Sequence, residues 1–183
     1  RQHVTVSLSG DAGDELFGGY NRYMLANGIW NKIARVPPSL RNLLARCILR
    51  LPPATWSGVL RPLQAILPGA LSQGILGDRL HKGANTLSAK SIDELYLNLV
   101  SHWNPEGLVI GGQEPRSPMR GASLSLTGLD AVQRMMALDT LTYLPGDILA
   151  KVDRAAMAVS LETLVPFLDH RVVEFAWRIP QSM

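Results

Sequence analysis

A single cysteine, Cys47, in a chain of 183 residues excludes an internal disulfide framework and a cysteine-built metal site, and this usage fits a reducing, cytoplasmic setting. No apolar run reaches the length that a membrane-spanning helix needs, and no signal-peptide pattern opens the chain. Charge of one sign is also missing. The 18 basic and 15 acidic residues are interspersed and leave a net charge of only +3, so no electrostatic footprint for a nucleic-acid backbone is visible, whereas a small acidic ligand remains compatible. The 46% hydrophobic content is that of a globular protein and suffices for one sizeable core, as one domain or part of a larger one. The chain opens on Arg1 just before a strand-like segment and stops at Met183 just after a helix. Both ends are expected to be cuts through a longer protein, with companion strands upstream, because a central strand needs neighbours on both sides.

The densest signal is the stretch Ser9-Gly10-Asp11-Ala12-Gly13-Asp14-Glu15-Leu16-Phe17-Gly18-Gly19-Tyr20, which directly follows Val4-Thr5-Val6-Ser7-Leu8. The β-branched run predicts a short buried strand, and a helical pattern resumes from Leu16 to Trp30. An acidic, glycine-rich loop at the carboxyl end of a strand lies where open α/β sheets bind ligands, because helix N-termini there point backbone N–H groups outward. Gly10 and Gly13 allow close approach of a ligand, and Asp11 and Asp14 offer hard oxygen donors suited to Mg²⁺. Gly18-Gly19 together weaken the following helix by roughly 2 kcal/mol relative to alanine. A bare backbone there serves either close packing or room for a nucleotide.

Downstream, Pro37-Pro38 closes the first helical segment and Ser39 is placed to cap a helix over 40–51. Its stripe of Leu40, Leu43, Leu44, Cys47 and Ile48 predicts a buried, structural thiol, with Arg41, Arg46 and Arg50 on a solvated face. Pro52-Pro53 ends that helix, and shorter helical pieces follow at 56–67 and 71–80, split by Pro68-Gly69. His81 and His102 lack a second ligand-type residue at i+4 and are expected to be surface or satisfied histidines. Ser91 to Glu94 is a capping-box pattern opening a helix to Trp103, and 111–125 is Gly-, Pro-, Ser- and Arg-rich without periodicity, hence a loop. Thr127 or Asp130 starts a further helix in which Met135-Met136 fill core.

Residues 143–170, YLPGDILAKVDRAAMAVSLETLVPFLDH, concentrate charge in an apolar context. In a helix Asp147, Lys151 and Arg154 share one face, at i, i+4 and i+7. The neighbouring run Ala155 to Val159 is so apolar that burial on most sides is expected, which makes the charges costly unless paired or used; Glu162 stands before an apolar run and invites the same question.

SGDAGDELFGGYNRY at 9–23 and the 143–170 block, in that order, resemble the synthetase domain of glutamine-hydrolysing asparagine synthetases. The firm resemblance covers roughly a quarter of the chain, with 30–140 matching only as a helical connector. It implies an α/β parent of the adenine-nucleotide hydrolase type, a parallel sheet flanked by helices, of which 1–183 is a partial synthetase domain that is mostly α-helical with one N-terminal strand. It also implies the chemistry. The β-carboxylate of aspartate attacks the α-phosphorus of ATP, Mg²⁺-pyrophosphate leaves, and glutamine-derived ammonia attacks the aspartyl-adenylate. The resemblance makes Ser9 and Gly10 contacts to AMP, Asp14 the Mg²⁺ ligand, and Asp11, where the family often has Glu, the acid beside the adenylate. It sets Asp147, Lys151, Asp153, Arg154 and Glu162 on the aspartate side. Asp11 and Glu162 are the candidate catalytic acids, and the other four are candidate substrate contacts. Leu164 stands where the family usually has arginine.

The family's SGGxDS pyrophosphate loop and its N-terminal glutaminase domain are expected upstream of Arg1, and its basic C-terminal segment with a catalytic lysine downstream of Met183. The remainder of the same polypeptide is therefore an implied partner, a homodimer of the parent is compatible with the resemblance, and the chain alone is expected to be inactive. Exposed strand edges in the isolated chain predict self-association. Two alternatives stay open. One is a related synthetase of the same fold forming β-lactams or amidating sugars or peptides; the other is a non-catalytic helical interaction fragment.

Overall fold

The computed structural model describes residues 3–64, 76–101, 118 and 126–181. In chain order these form β1 (Val6–Leu8), α1 (Gly13–Phe17), α2 (Asn21–Ile33), α3 (Pro38–Leu49), α4 (Pro53–Gln64), α5 (Leu76–Leu87), α6 (Ile92–Val100) and α7 (Ala131–Leu141). A π-helical turn at Leu144–Leu149, α8 (Ala150–Met157), β2 (Glu162–Leu164), a 3₁₀ turn at Pro166–Leu168 and α9 (His170–Arg178) complete the fold. Two compact units emerge: residues 1–25 with 105–183, and residues 26–104.

In the first unit β1 pairs with β2 in parallel, Val6 opposite Glu162 and Leu8 opposite Leu164. The parallel arrangement agrees with the sequence; the single-strand expectation is corrected, since β1 finds its neighbour downstream in the same chain. β2 escapes a sequence signal because α8 ends without glycine. Ser160 takes the left-handed conformation at φ 56°, the Leu161 N–H bonds the Ala156 carbonyl at 2.9 Å and the Ser160 N–H bonds that of Met157 at 2.9 Å, a Schellman ending that swings the chain into the strand. Both strands are short and open to solvent, with Leu8 72% and Leu164 47% exposed.

The helix predicted from Leu16 to Trp30 is two helices. Gly18, at φ 70°, closes α1 with its N–H on the Asp14 carbonyl, and α2 restarts at Asn21. α7 begins at Asp130 with a complete capping box to Gln133, and Met135 and Met136 are buried as expected. One apolar cluster, Ala12, Leu16, Leu144 and Ala176, is packed by Ile148, Leu149, Val165, Phe167, Val173 and Trp177. It ties the loop after β1 to the π-helical turn and to α9. α8 is different from its prediction: none of its residues is buried, because it lies against β2 and the π-helical turn and leaves its remaining faces open.

A buried polar knot closes this unit. Asp139, 1% exposed in the last turn of α7, receives Arg22 Nη2 at 2.6 Å and the Tyr23 hydroxyl at 2.8 Å on the same carboxylate oxygen. The Arg22 guanidinium lies 4.0 Å from the Tyr20 ring centre and 4.7 Å from that of Tyr143.

The second unit contains α3 to α6. Pro37 and Pro38, not Ser39, start α3: Pro38 occupies a first-turn position whose missing N–H has no intrahelical partner in any case. The buried face of α3 is Arg41 and Ala45, while Leu40, Leu43, Leu44 and Cys47 are exposed, correcting the predicted stripe and the buried thiol. The reason is close packing of small residues between α3, α4 and α5. Gly77 of α5 sits where a Cβ would overlap the Pro53 carbonyl, and Ala45 and Ala84 are fully enclosed. Arg41 is buried because Nη1 donates to the Ala89 carbonyl at 3.0 Å and its guanidinium faces Trp30 at 5.6 Å. α4 starts at Pro53 and α5 continues past Leu80 to Leu87, with 65–75 between them outside the described residues. His81 is satisfied by the Leu51 carbonyl at 2.8 Å, and Ser91 caps α6 by accepting from the Glu94 N–H at 3.2 Å. His102, Trp103 and the 111–125 loop apart from Pro118 lie outside the described residues.

Two outcomes follow. Asp139→Ala leaves the half-buried Arg22 cation and the buried Tyr23 hydroxyl without their shared carboxylate and costs about 2 kcal/mol of stability, read as a lowered urea midpoint. Asp169, the N-cap of α9, accepts from the Arg171 backbone N–H at 2.9 Å and from its guanidinium at 2.9 and 2.7 Å. These hydrogen bonds to Arg171 hold its carboxyl far below the ordinary carboxylate range. Its contribution is thus complete above the unfolded value near pH 4 and fades as pH falls below it. Asp169→Asn flattens that part of an acid unfolding profile.

Candidate functional site

Parallel pairing brings the Ser9–Asp14 loop and the tail of the second block, Val165–Asp169, to the same end of the sheet, whereas Asp147, Lys151, Asp153 and Arg154 precede β2. Past Leu8 comes the loop Ser9 to Ala12; past Leu164 come Val165 and the 3₁₀ turn, and the Ser9 N–H donates to the Leu164 carbonyl at 2.9 Å. Phe17 and Phe167 meet edge to face at 5.8 Å, and a Cβ on Gly13 would lie 3.5 Å from the Phe167 ring. That is an ordinary van der Waals contact, so the ring packs over the loop without requiring glycine at 13.

Within the loop, Ser9 Oγ donates to Asp11 Oδ2 at 2.5 Å, which orients a half-buried carboxylate. Gly10 has open space around it. Ala12 is buried in the left-handed conformation, φ 70°, which turns the chain directly into α1. Asp14 stands exposed in the first turn of α1, and its carboxylate has no hydrogen-bond or ion-pair partner among the described residues. That carboxylate lies where a Cβ on Gly19 would be, so the bare backbone at Gly19 makes room for Asp14 itself. Neighbouring Glu15 is buried and accepts from the Tyr20 hydroxyl at 2.8 Å. Burial first, then the bond to Glu15, keeps that phenol protonated well above its usual range.

The second group is open. Lys151 Nζ donates to Asp147 Oδ2 at 2.7 Å across the junction of the π-helical turn and α8, and this hydrogen bond holds the ammonium pKa up. Both ends are solvated, so the pair adds little stability. Asp153 and Arg154 are exposed on α8, and Glu162 is exposed on β2, with its backbone N–H on the Thr5 carbonyl at 3.0 Å. The expected common face is realised as the Asp147–Lys151 pair; Arg154 makes no ion pair among the described residues. No hydrogen bond or ion pair among the described residues links the two groups. The strand pairing and the Ala12–Leu16–Leu144 cluster hold them together.

Asp14 fits one Mg²⁺ contact, being an exposed, unengaged carboxylate in a helix first turn. No three His, Cys, Asp or Glu side chains among the described residues converge to hold a metal, so a Mg²⁺ ion held by Asp14 would need its other ligands from phosphate and water.

The asparagine synthase family matches residues 1–183, the whole chain and well beyond the two blocks. The chain belongs to the asparagine synthase family. Among its relatives, asparagine synthetase (glutamine-hydrolyzing) 1 of Bacillus subtilis strain 168 is 30% identical over 191 aligned residues, covering 100% of this chain and 26% of its own. A Mycobacterium tuberculosis H37Rv protein provisionally named asparagine synthetase (glutamine-hydrolyzing) is 33% identical over 180 residues, covering 98% of this chain and 25% of its own. The Bacillus subtilis asparagine synthetase (glutamine-hydrolyzing) 3 is 40% identical over 57 residues, 31% of this chain and 9% of its own. The chain thus spans about a quarter of the length of the full-length relatives it matches. No solved structure matches it. No helix among the described residues is long and apolar enough to cross a membrane.

Glu15, Tyr20, Arg22, Asp139 and Tyr143 are the members of this site's surroundings that sequence reasoning passes over. One signal was available: Asp139 interrupts the otherwise apolar run Met135 to Leu138, a position where an acid must be paired.

The two adjacent glycines separate by substitution. Gly18→Ala imposes the left-handed conformation on a Cβ and lowers stability by about 1 kcal/mol in urea titration. Gly19→Ala instead collides with the mobile end of the Asp14 side chain, so its effect appears at the carboxylate, with a smaller shift of the urea midpoint.

Proposed function

We propose that this chain carries the ATP- and aspartate-binding face of an amide ligase that makes asparagine through an aspartyl-adenylate, with ammonia drawn from glutamine by another part of the same polypeptide. The observation that carries this is the parallel β1–β2 pairing, which sets the Ser9–Asp14 loop and the Val165–Asp169 segment at one sheet end in a member of the asparagine synthase family. Ligands of open α/β sheets bind at such an edge.

In this reading Ser9 and Gly10 meet the AMP moiety; open space around Gly10 admits a nucleotide against the backbone. Asp14 holds Mg²⁺, whose contribution is to neutralise charge on the pyrophosphate leaving group. Asp11, oriented by Ser9, lies beside the acyl phosphate. The aspartate β-carboxylate forms a bond to the α-phosphorus as the bond to pyrophosphate breaks; ammonia then forms the amide as AMP leaves. The chain positions and neutralises, and takes no covalent part. Asp147, Lys151, Asp153 and Arg154 face the aspartate, cation to its carboxylates and anion to its ammonium, with Glu162 as a second acid. The solvated Asp147–Lys151 pair supports this, because it opens at little cost when a charged substrate competes for it.

Leu164 favours a second reading. It puts an exposed apolar side chain where the family pattern has arginine, removing a cation from the acceptor side, so a synthetase of the same fold with a different acceptor is the alternative.

Isotope exchange between ATP and pyrophosphate in the full-length protein tests the proposal. Exchange that needs aspartate and Mg²⁺ is expected; Asp14→Ala lowers it about a hundredfold or more, and Gly19→Ala raises the Mg²⁺ concentration needed. The 183-residue chain alone shows no aspartate-dependent pyrophosphate release. Exchange driven by a different carboxylate and indifferent to aspartate would select the second reading, and no exchange with any carboxylate would overturn both.

A further inference from the structure

The buried knot around Arg22 takes no part in the chemistry above, yet it touches both halves of the site. Its guanidinium lies over the rings of Tyr20, at the end of the first block, and Tyr143, at the start of the second, at 4.0 and 4.7 Å from their centres. The two rings also meet edge to face at 6.3 Å. Asp139 anchors the cation at 2.6 Å from beneath, and the Tyr23 hydroxyl shares the same carboxylate oxygen. From Tyr20 the chain of contacts reaches Glu15, next to Asp14, through a 2.8 Å hydrogen bond; from Tyr143 the backbone passes directly into the π-helical turn that carries Asp147.

We propose that Arg22 is a positioning residue: clamped between Tyr20 and Tyr143 on the Asp139 carboxylate, it sets the spacing between the loop of Asp11 and Asp14 and the turn of Asp147. A purely stabilising role fits this arrangement less well, because a buried ion pair is no more stabilising than apolar packing of the same volume. What the pair supplies is geometry. The planar guanidinium faces two rings and an anion at once, which a lysine ammonium cannot do. Two substrates held on opposite sides of the clamp react only when their groups are aligned, and an error near 1 Å there can cost about a hundredfold in rate without loosening either substrate.

This inference rests on the proposed synthetase reading, and the test separates the two. In the full-length protein, Arg22→Lys and Tyr143→Leu are each expected to lower kcat for aspartate-dependent ATP–pyrophosphate exchange tenfold or more, with the KM values for ATP and aspartate within about twofold of wild type. Tyr143→Phe keeps the ring face and restores the wild-type kcat. Wild-type kcat in Arg22→Lys or Tyr143→Leu, or a fall in thermal stability with the residual activity unchanged per folded molecule, overturns the positioning role. Should Arg22→Lys fail to fold, the Tyr143 pair of variants decides alone. Absence of exchange in the wild-type protein overturns the synthetase reading itself, and the positioning role with it.

Discussion

The Arg22–Asp139 pair is the constraint on which the rest of the first unit depends. Asp139 is buried in the last turn of α7 and would be expensive there alone; Arg22 compensates it, and the Tyr23 hydroxyl shares the same carboxylate oxygen. Because Arg22 follows the glycine loop and Asp139 precedes the second charged block, one ion pair joins segments 117 positions apart. The aromatic rings of Tyr20 and Tyr143 then fix direction as well as distance. The Ala12–Leu16–Leu144–Ala176 cluster adds the nonspecific part of the cohesion beside it.

Strand pairing does the complementary work. Two three-residue strands contribute little by burial, and their side chains remain largely open. Their consequence is register: with Leu8 opposite Leu164, the Ser9–Asp14 loop and the Val165–Asp169 segment leave the sheet at one end. The loop then uses its glycines for separate purposes. Gly18 closes α1 in the left-handed conformation, and Gly19 leaves space for the Asp14 carboxylate.

Helix faces show where periodicity stops being informative. The leucine stripe of α3 has the spacing of a buried face, yet the helix turns Ala45 and Arg41 inward and leaves Leu40, Leu43 and Leu44 outside. Close approach of small residues around Gly77, Ala45 and Ala84 outweighs the larger apolar area of the leucines at this contact, and Arg41 follows because it finds a carbonyl and an aromatic face inside. α8 repeats the lesson, with none of its alanines buried. Capping signals were more dependable, since they are satisfied within a turn: Ser91 and Asp130 both accept the N–H three residues on.

The amino-acid sequence by itself determined what is local or carried by residue type: the strand before the loop, the helical character of the body, the caps of α6 and α7, the buried methionines, the shared face of Asp147 and Lys151, and membership of a ligase family through two blocks of unlike pattern. Only tertiary structure decided which face of each helix is inside, that residues 162–164 form the second strand, and that Arg22, Asp139 and Tyr143 meet. The physical reason is the same in each case. Propensity and capping act over one turn of chain, whereas burial, register and ion pairing depend on partners from tens of residues to more than a hundred away, which no local pattern specifies.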